Sequence, residues 1–563
     1  MQTLARSCLA LAMFAGGCAS STSAVPGVRF ANQPPVTKVD DRRDVRVAPA
    51  PRELVHSLYH FDGSFLRLMT RALELPRHQR ARGVNALDEV PDSTWFTNRI
   101  GVRTLTPDEI RRGPATVGSP EPYVPWKIKS GKDGGISVGF VIVDARGEKF
   151  LLKFDALGFP ETETATDAIV GRLLWAFGFN VPEDHVVYFR PGDLVIGPDA
   201  TFKDELGKKR PMTREELAKK LALVQVEPDG RIRGLASRML DGKPLGGHAA
   251  EGVRGDDPND RIPHELRRDL RGARAVFSWL DHLDVKEDNS LDMWVADPER
   301  PAHHYVKHYW LDFGKSLGFM ATWSSDPRRG HEYYVDWPDM LGAFATGGLE
   351  DRSWEHRAPT PELRGVGRYE ASYDPGTWKP LTPVYVPFRE ADRFDQFWAS
   401  KILLRFTRPQ LRAAVEAGRL GDPRAAAFLV ETLVARQRVT ASYWFQRVNP
   451  LDRFELVATV GGHALCFDDL ALEHRLASST TTRYAVAAYD ARGRALGELA
   501  QLRPGSRARS CTGPLPIADG GDGYTMIRIA TARPELASAL TTIIHVARDP
   551  SSRQPRVIGI WRQ

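Results

Sequence analysis

Residues 281–295 read DHLDVKEDNSLDMWV, 296–304 read ADPERPAHH and 305–314 read YVKHYWLDFG. Two patterns sit in this stretch. His282 to Asn289 has the form H-x-D-x-K-x-x-N, and Asp312-Phe313-Gly314 closes the next apolar run. NSLDMWV and YVKHYWL are short β-prone runs flanking a polar turn, which predicts a hairpin with Asn289 and Asp312 at the same end. Asp-Phe-Gly alone is a common turn tripeptide. Both patterns in this order on one hairpin are far harder to obtain by chance.

Moving a phosphoryl group asks little covalent work of a protein. It needs a carboxylate to orient the attacking hydroxyl, a cation for the charge on the transferring group, and oxygen ligands for Mg²⁺. The residues of 281–314 match that requirement, and the stretch resembles the catalytic loop and metal-binding Asp-Phe-Gly of the protein-kinase-like superfamily. The resemblance implies ATP and Mg²⁺ as cofactors and an acceptor bearing a hydroxyl. It gives Asp284 the orienting role, Lys286 the neutralising one, and Asn289 and Asp312 the metal. His282 is expected to be a structural hydrogen-bonder. Some features depart from the familiar pattern. Leu283 stands where many regulated kinases carry Arg, the Asn289–Asp312 spacing is long, and no Ala-Pro-Glu segment follows Gly314.

Upstream, Ser130-Gly131-Lys132-Asp133-Gly134-Gly135 leads into an apolar run, Ile136–Val143, and a return run, Glu148–Phe154. A glycine-rich turn between strands lets backbone N–H groups approach phosphates, which makes Gly134 and Gly135 nucleotide-binding candidates. Lys153, between Leu152 and Phe154, is costly to bury unless it meets an anion. Glu161–Phe177 has helical periodicity and ends at Gly178. Glu163 and Asp167 lie four apart on one side of it, and either acid can serve Lys153. The passage from Leu173 through Gly178 to Val181-Pro182 resembles HipA-like, atypical members of the superfamily, in which the position of Asp167 holds Glu. Lys208–Leu221 reads as a charged surface helix, Ile232–Leu240 as a strand, and Asp241–Leu245 as the crossover to the second lobe.

His264–Leu283 is amphipathic and delivers the catalytic loop. The loop-rich stretch 320–390, with Phe319, Trp323, Tyr333, Tyr334 and Trp337 at its start, is read as acceptor surface or core. Phe394–Val448 is helical. From Pro450 short strands alternate with turns. The expected fold is therefore α+β. A bilobal kinase-like unit has a β-rich lobe at 121–242 and a helical lobe at 243–448, and an all-β, sandwich-like region follows at 449–563. The resemblance covers roughly 125–445. Residues 19–120 are tether and extension, with helical spacing over Arg52–Leu75 and a Pro107 helix start.

The chain has 563 residues, 42% hydrophobic, and a net charge of +6 from 77 basic and 71 acidic side chains. So slight a bias argues against nucleic acid as a partner. Residues 1–18 carry Arg6, a short apolar core and Cys18, and resemble a bacterial lipoprotein signal, with Ala15 where an aliphatic residue is usual. That predicts a membrane anchor at Cys18 in the cell envelope. A plain secretory signal and a cytoplasmic chain are the alternatives. Cys466 and Cys511 are then the two cysteines of the body, either a disulfide or two separate thiols. Two functions from different classes fit these features: a phosphotransferase, or a pseudokinase scaffold that binds partners through its C-terminal strands.

Overall fold

The computed structural model describes residues 27–53, 56–70, 79–132, 138–204, 207–319, 327–349, 351–352, 354–356, 362–505 and 508–563. Cys18, Gly134, Gly135 and Trp323 lie outside the described residues. The chain is α+β, strand-rich over 126–238, helix-rich over 268–445 and strand-rich again over 451–562. No described helix is long and apolar enough to cross a membrane.

The first sheet has seven strands: β1 Trp126–Gly131, β2 Gly139–Val143, β3 Lys149–Lys153, β4 Asp184–Phe189, β5 Leu194–Lys203, β6 Lys209–Pro211 and β7 Ile232–Arg238. Their order is β4-β7-β3-β2-β1-β5-β6, antiparallel except for the β1–β5 pair. Alternation buries Phe150 and Leu152 of β3 with Phe140 and Ile142 of β2, as period-2 strands require. Where a helix was expected over 208–221, Lys209–Pro211 pairs with β5 instead. Helix begins only at Arg214, after Thr213 caps it by accepting from Glu216 N–H, because Pro211 has no N–H to give a helix interior.

Helix α1, Glu163–Phe177, packs against this sheet. It starts two residues later than its periodicity suggests, since Glu161 has φ +64°. The Asp155 carboxylate acts as its cap from outside, accepting from Glu161 N–H and Thr164 N–H, each at 2.9 Å. Gly178 ends it at φ +146°, where a Cβ would lie 2.3 Å from the Phe96 ring. Only glycine fits there.

Helix α2, Arg268–Leu280, is buried along nearly its whole length. It crosses α4 (Arg393–Leu403) closely at Gly272, where a Cβ would sit 2.7 Å from Trp398. The other long helices are α3 (Trp337–Ala345), α5 (Arg408–Glu416) and α6 (Pro423–Phe445). Between them β8 (Lys243–Pro244), β9 (Ser290–Ala296) and β10 (His304–Trp310) form a small sheet, with Ser290 opposite Trp310. The extended segment 27–53 lies across this hairpin. Val45 N–H donates to the His304 carbonyl, and the Trp294 indole donates to the Val45 carbonyl. The helical stretch 56–70 is broken by a π turn at Asp62–Leu66.

Eight strands complete the chain: β11 Leu451–Thr459, β12 Gly462–Asp469, β13 Arg483–Asp490, β14 Ala500–Leu502, β15 Arg509–Cys511, β16 Thr525–Ala532, β17 Leu540–Arg548 and β18 Pro555–Arg562. They form sheets β11-β12-β15 and β14-β13-β16-β17-β18. Inner-face residues of both, among them Phe467, Tyr484, Ile529 and Ile544, share one apolar cluster. Ahead of β14, Ala495 forms an isolated bridge to Tyr489, and Ala500–Leu502 then pairs with β13 as a strand. Cys466 and Cys511 face each other across β12 and β15 and are joined as a disulfide.

Candidate active site

Lys153 ends β3, and its ammonium points at the turn after β10. Its Nζ lies 3.1 Å from Asp312 Oδ1 and 3.7 Å from Asp167 Oδ2. Asp167 also accepts from Phe313 N–H, so it joins the lysine to the Asp-Phe-Gly turn. Glu163, one turn earlier on α1, runs beside Gly314, where a Cβ would meet Glu163 Cβ at 3.3 Å. Of the two acids open in the sequence, Asp167 reaches Lys153. Asp312 has φ +59°, a conformation that costs a non-glycine residue free energy and clusters at functional sites. Its side chain stays 54% exposed whereas that of Asp167 is 5% exposed, which makes Asp312 the carboxylate available to a ligand.

Burial opposes a charge on Lys153, but Asp312, Asp167 and Asp184 together raise its pKa above the ordinary lysine value. The Lys153 charge, against the opposing cost of burial, depresses the Asp312 carboxyl. Burial raises Asp167, and proximity to Asp312 and Asp184 adds to it despite Lys153. Three carboxylates sharing one ammonium cannot all ionise freely. Burial, with Asp312 next, pushes Glu163 up to about 7.

The loop between α2 and β9 carries the second half. Asp281 ends α2 at φ +50° and holds Trp378 Nε1 at 3.0 Å. His282 is buried, its Nδ1 2.8 Å from Ser316 Oγ, and burial lowers it to about 4. Glu287–Asn289 is a short 3₁₀ turn. Asn289 Nδ2 donates to the Asp284 carbonyl at 2.6 Å, and Leu311 N–H donates to the Asn289 carbonyl at 2.9 Å. These two bonds set Asn289 between Asp284 and the residue preceding Asp312. Lys286 Nζ donates to Asp284 Oδ1 and Oδ2 at 3.1 and 3.0 Å. Lys315 Nζ donates to Asp284 Oδ2 at 2.7 Å. Burial works to raise the Asp284 carboxyl, yet Lys315 and Lys286 hold it below the usual carboxylate value.

Two residues at the site carried no signal in the sequence. Lys315 directly follows Asp-Phe-Gly, but no spacing rule singles it out. Asp184, which opens β4 just past the Val181-Pro182 passage, has a buried Oδ1 without a hydrogen bond among the described residues. Tyr333, Tyr334 and Lys379 line a small cavity beside Leu283, next to the loop.

The donor set suits a hard divalent cation. Asp312 offers a half-exposed carboxylate beside other acids. Asn289 has committed its amide nitrogen to Asp284, which leaves the amide oxygen as its ligand atom. No three Asp, Glu, His or Cys side chains form a cage among the described residues. Mg²⁺ is commonly held by one or two side chains with phosphate oxygens and water completing its shell, and Asp312 with Asn289 fits that case.

No family model matches the chain, and neither does any curated protein. Among solved structures it is similar to the proinflammatory kinase CtkA of Helicobacter pylori, at 10% identity over 56% of this chain and 94% of that one, TM-score 0.29. It is similar to the Golgi casein kinase with Mn and ADP bound, at 11% identity over 57% and 72%, TM-score 0.26. It is also similar to the Rio2 kinase–ADP/Mg²⁺–phosphoaspartate complex of Chaetomium thermophilum, at 14% identity over 55% and 72%, TM-score 0.21. TM-scores this low carry neither fold nor function across, and the side chains of this chain bear the functional case alone.

Proposed function

We propose that the chain is an ATP- and Mg²⁺-dependent phosphotransferase with a bilobal, kinase-like layout, passing the γ-phosphoryl group to a hydroxyl acceptor. The observation that carries this is the convergence of Lys153, Asp167 and Asp312, on three separate elements, within 3.7 Å of the Lys153 ammonium. Asp284 orients the acceptor hydroxyl. As the new O–P bond forms, the bond from the γ-phosphorus to the bridging oxygen breaks and its electron pair leaves with ADP. The hydroxyl proton passes by way of Asp284 to solvent. Lys153 holds the α- and β-phosphates, and Lys286 offsets charge on the group in transfer. Asp312 and Asn289 would hold Mg²⁺, which when bound neutralises phosphate charge. Gly134 and Gly135 belong to the phosphate loop in this reading.

The HipA-like passage at 173–182 supports placing the chain among atypical kinases. The Cys18 leader supports a lipid-anchored enzyme of the cell envelope. A second reading, a scaffold acting through its C-terminal strands, is favoured by a cleft of about 1060 Å³ between those strands, α4 and the N-terminal segment. Labelled ATP with Mg²⁺ separates the two. Transfer of label to the chain or to water, cut about 10³-fold or more in both Asp284→Ala and Asp312→Ala, supports the enzyme. Nucleotide binding with no turnover sinks it in favour of the scaffold.

A further inference from the structure

Lys315 is tied to the catalytic loop from several directions. Its carbonyl accepts from Leu283 N–H at 3.1 Å. Its neighbour Ser316 meets His282, and Leu317 N–H donates to the Leu280 carbonyl at 2.8 Å. Non-glycine residues with left-handed backbones, Asp312 at φ +59° and Leu317 at φ +48°, bracket the segment. This arrangement, held against backbone preference, leaves the Lys315 ammonium on one oxygen of Asp284.

The two oxygens of Asp284 are not equivalent. Oδ2 accepts from both Lys315, at 2.7 Å, and Lys286, at 3.0 Å. Oδ1 accepts only the longer Lys286 contact, at 3.1 Å, among the described residues. A carboxylate held by one lysine can rotate about its Cβ–Cγ bond, and a second, shorter contact on a defined oxygen opposes that rotation. Resting on the phosphotransferase reading above, we infer that Lys315 is a positioning residue for transfer. It pins Oδ2 so that Oδ1 is presented to the acceptor hydroxyl. Lys286 then shifts toward the transferring group without freeing the carboxylate. Misplacement of a reacting group by about 1 Å can cost about 10²-fold in rate.

The test is a double-mutant cycle on Mg²⁺-dependent turnover of labelled ATP, read as label on the chain or released as phosphate. Lys315→Met should lower kcat about 10²-fold and leave the affinity for ATP, measured by titration calorimetry, within about twofold. Lys315→Arg should recover a large part of the loss. In an Asp284→Asn background Lys315→Met should cost less than about twofold, because a residue acting through Asp284 has nothing left to position. Equal losses in both backgrounds, or no loss in either, overturn the inference while leaving the phosphotransferase standing. A wild-type chain with no turnover at all removes the phosphotransferase and the inference together. Melting curves of Lys315→Met and Lys315→Arg separate a folding defect from a positioning one, and the Arg variant keeps the test alive if the Met variant unfolds.

Discussion

Buried charge is arranged differently at the two ends of this molecule. Where the C-terminal strands meet α2 and α4, acids and bases alternate. Glu89 and Asp452 flank Lys401; Asp452 and Asp88 flank Arg562; Asp88 and Asp395 flank Arg268, and Arg271 closes the series on Asp395. At the candidate site the same residue types are segregated. Three carboxylates act on Lys153 at one end, and two ammoniums converge on Asp284 at the other. Alternation neutralises locally and holds elements together. Segregation leaves an acid-rich end suited to a cation and a lysine-rich end suited to phosphate oxygens. Exposure differs as well, Asp312 at 54% and Lys315 at 38% against 2% for Arg268 and 0% for Asp395, so pairing pattern and access together set the two ends apart.

Arg268→Met should break the alternating series most severely, since Arg268 is 2% exposed and Asp88 and Asp395 both lose it. Leaving such acids without their partner costs about 3–5 kcal/mol, read in urea unfolding. Much smaller losses would mean that the series is held by packing alone. Replacing both Cys466 and Cys511 by Ala, which opens a loop of sequence separation 45, should cost about 2–4 kcal/mol. Turnover per folded molecule should stay unchanged, and a parallel fall in turnover would couple the two ends after all.

The smallest effect sharpens the segregated end. Glu163 is held up at about 7, while an unfolded chain releases that proton near the ordinary glutamate value of 4.5. Between those values the folded state binds more protons, so stability falls as pH rises, and the loss is complete above about 7. Glu163→Gln should therefore raise the melting temperature by a few degrees at pH 8 and hardly at all at pH 4.5. An equal gain at both would mean that Glu163 is not desolvated in this way.

Asp284, Lys286, Asn289 and Asp312 could be singled out because the loop and hairpin that bring them together span only 34 residues, 281–314. Lys153 betrayed itself as a cation amid apolar neighbours. The choice between Glu163 and Asp167 was beyond periodicity, because residues four apart share a helix face and only depth against Phe313 separates them. Lys315 and Asp184 needed the tertiary fold, since neither has a local spacing that predicts its partner. The path of residues 27–53 was equally hidden. An extended segment takes its hydrogen bonds from distant elements and leaves no periodic trace.

That segment decides where the molecule can be cut. Arg52 reaches the Glu287 carboxylate at 2.5 Å, and Glu287 also accepts from Ala250 N–H at 2.7 Å. A fragment trimmed to begin at residue 121, as the run of strands suggests, would strip Glu287 of its guanidinium and the Trp294 indole of the Val45 carbonyl that receives it. The amino-terminal arm is thus a brace on the very turn that carries Asn289, and severing it should loosen that turn from some hundreds of residues away in sequence.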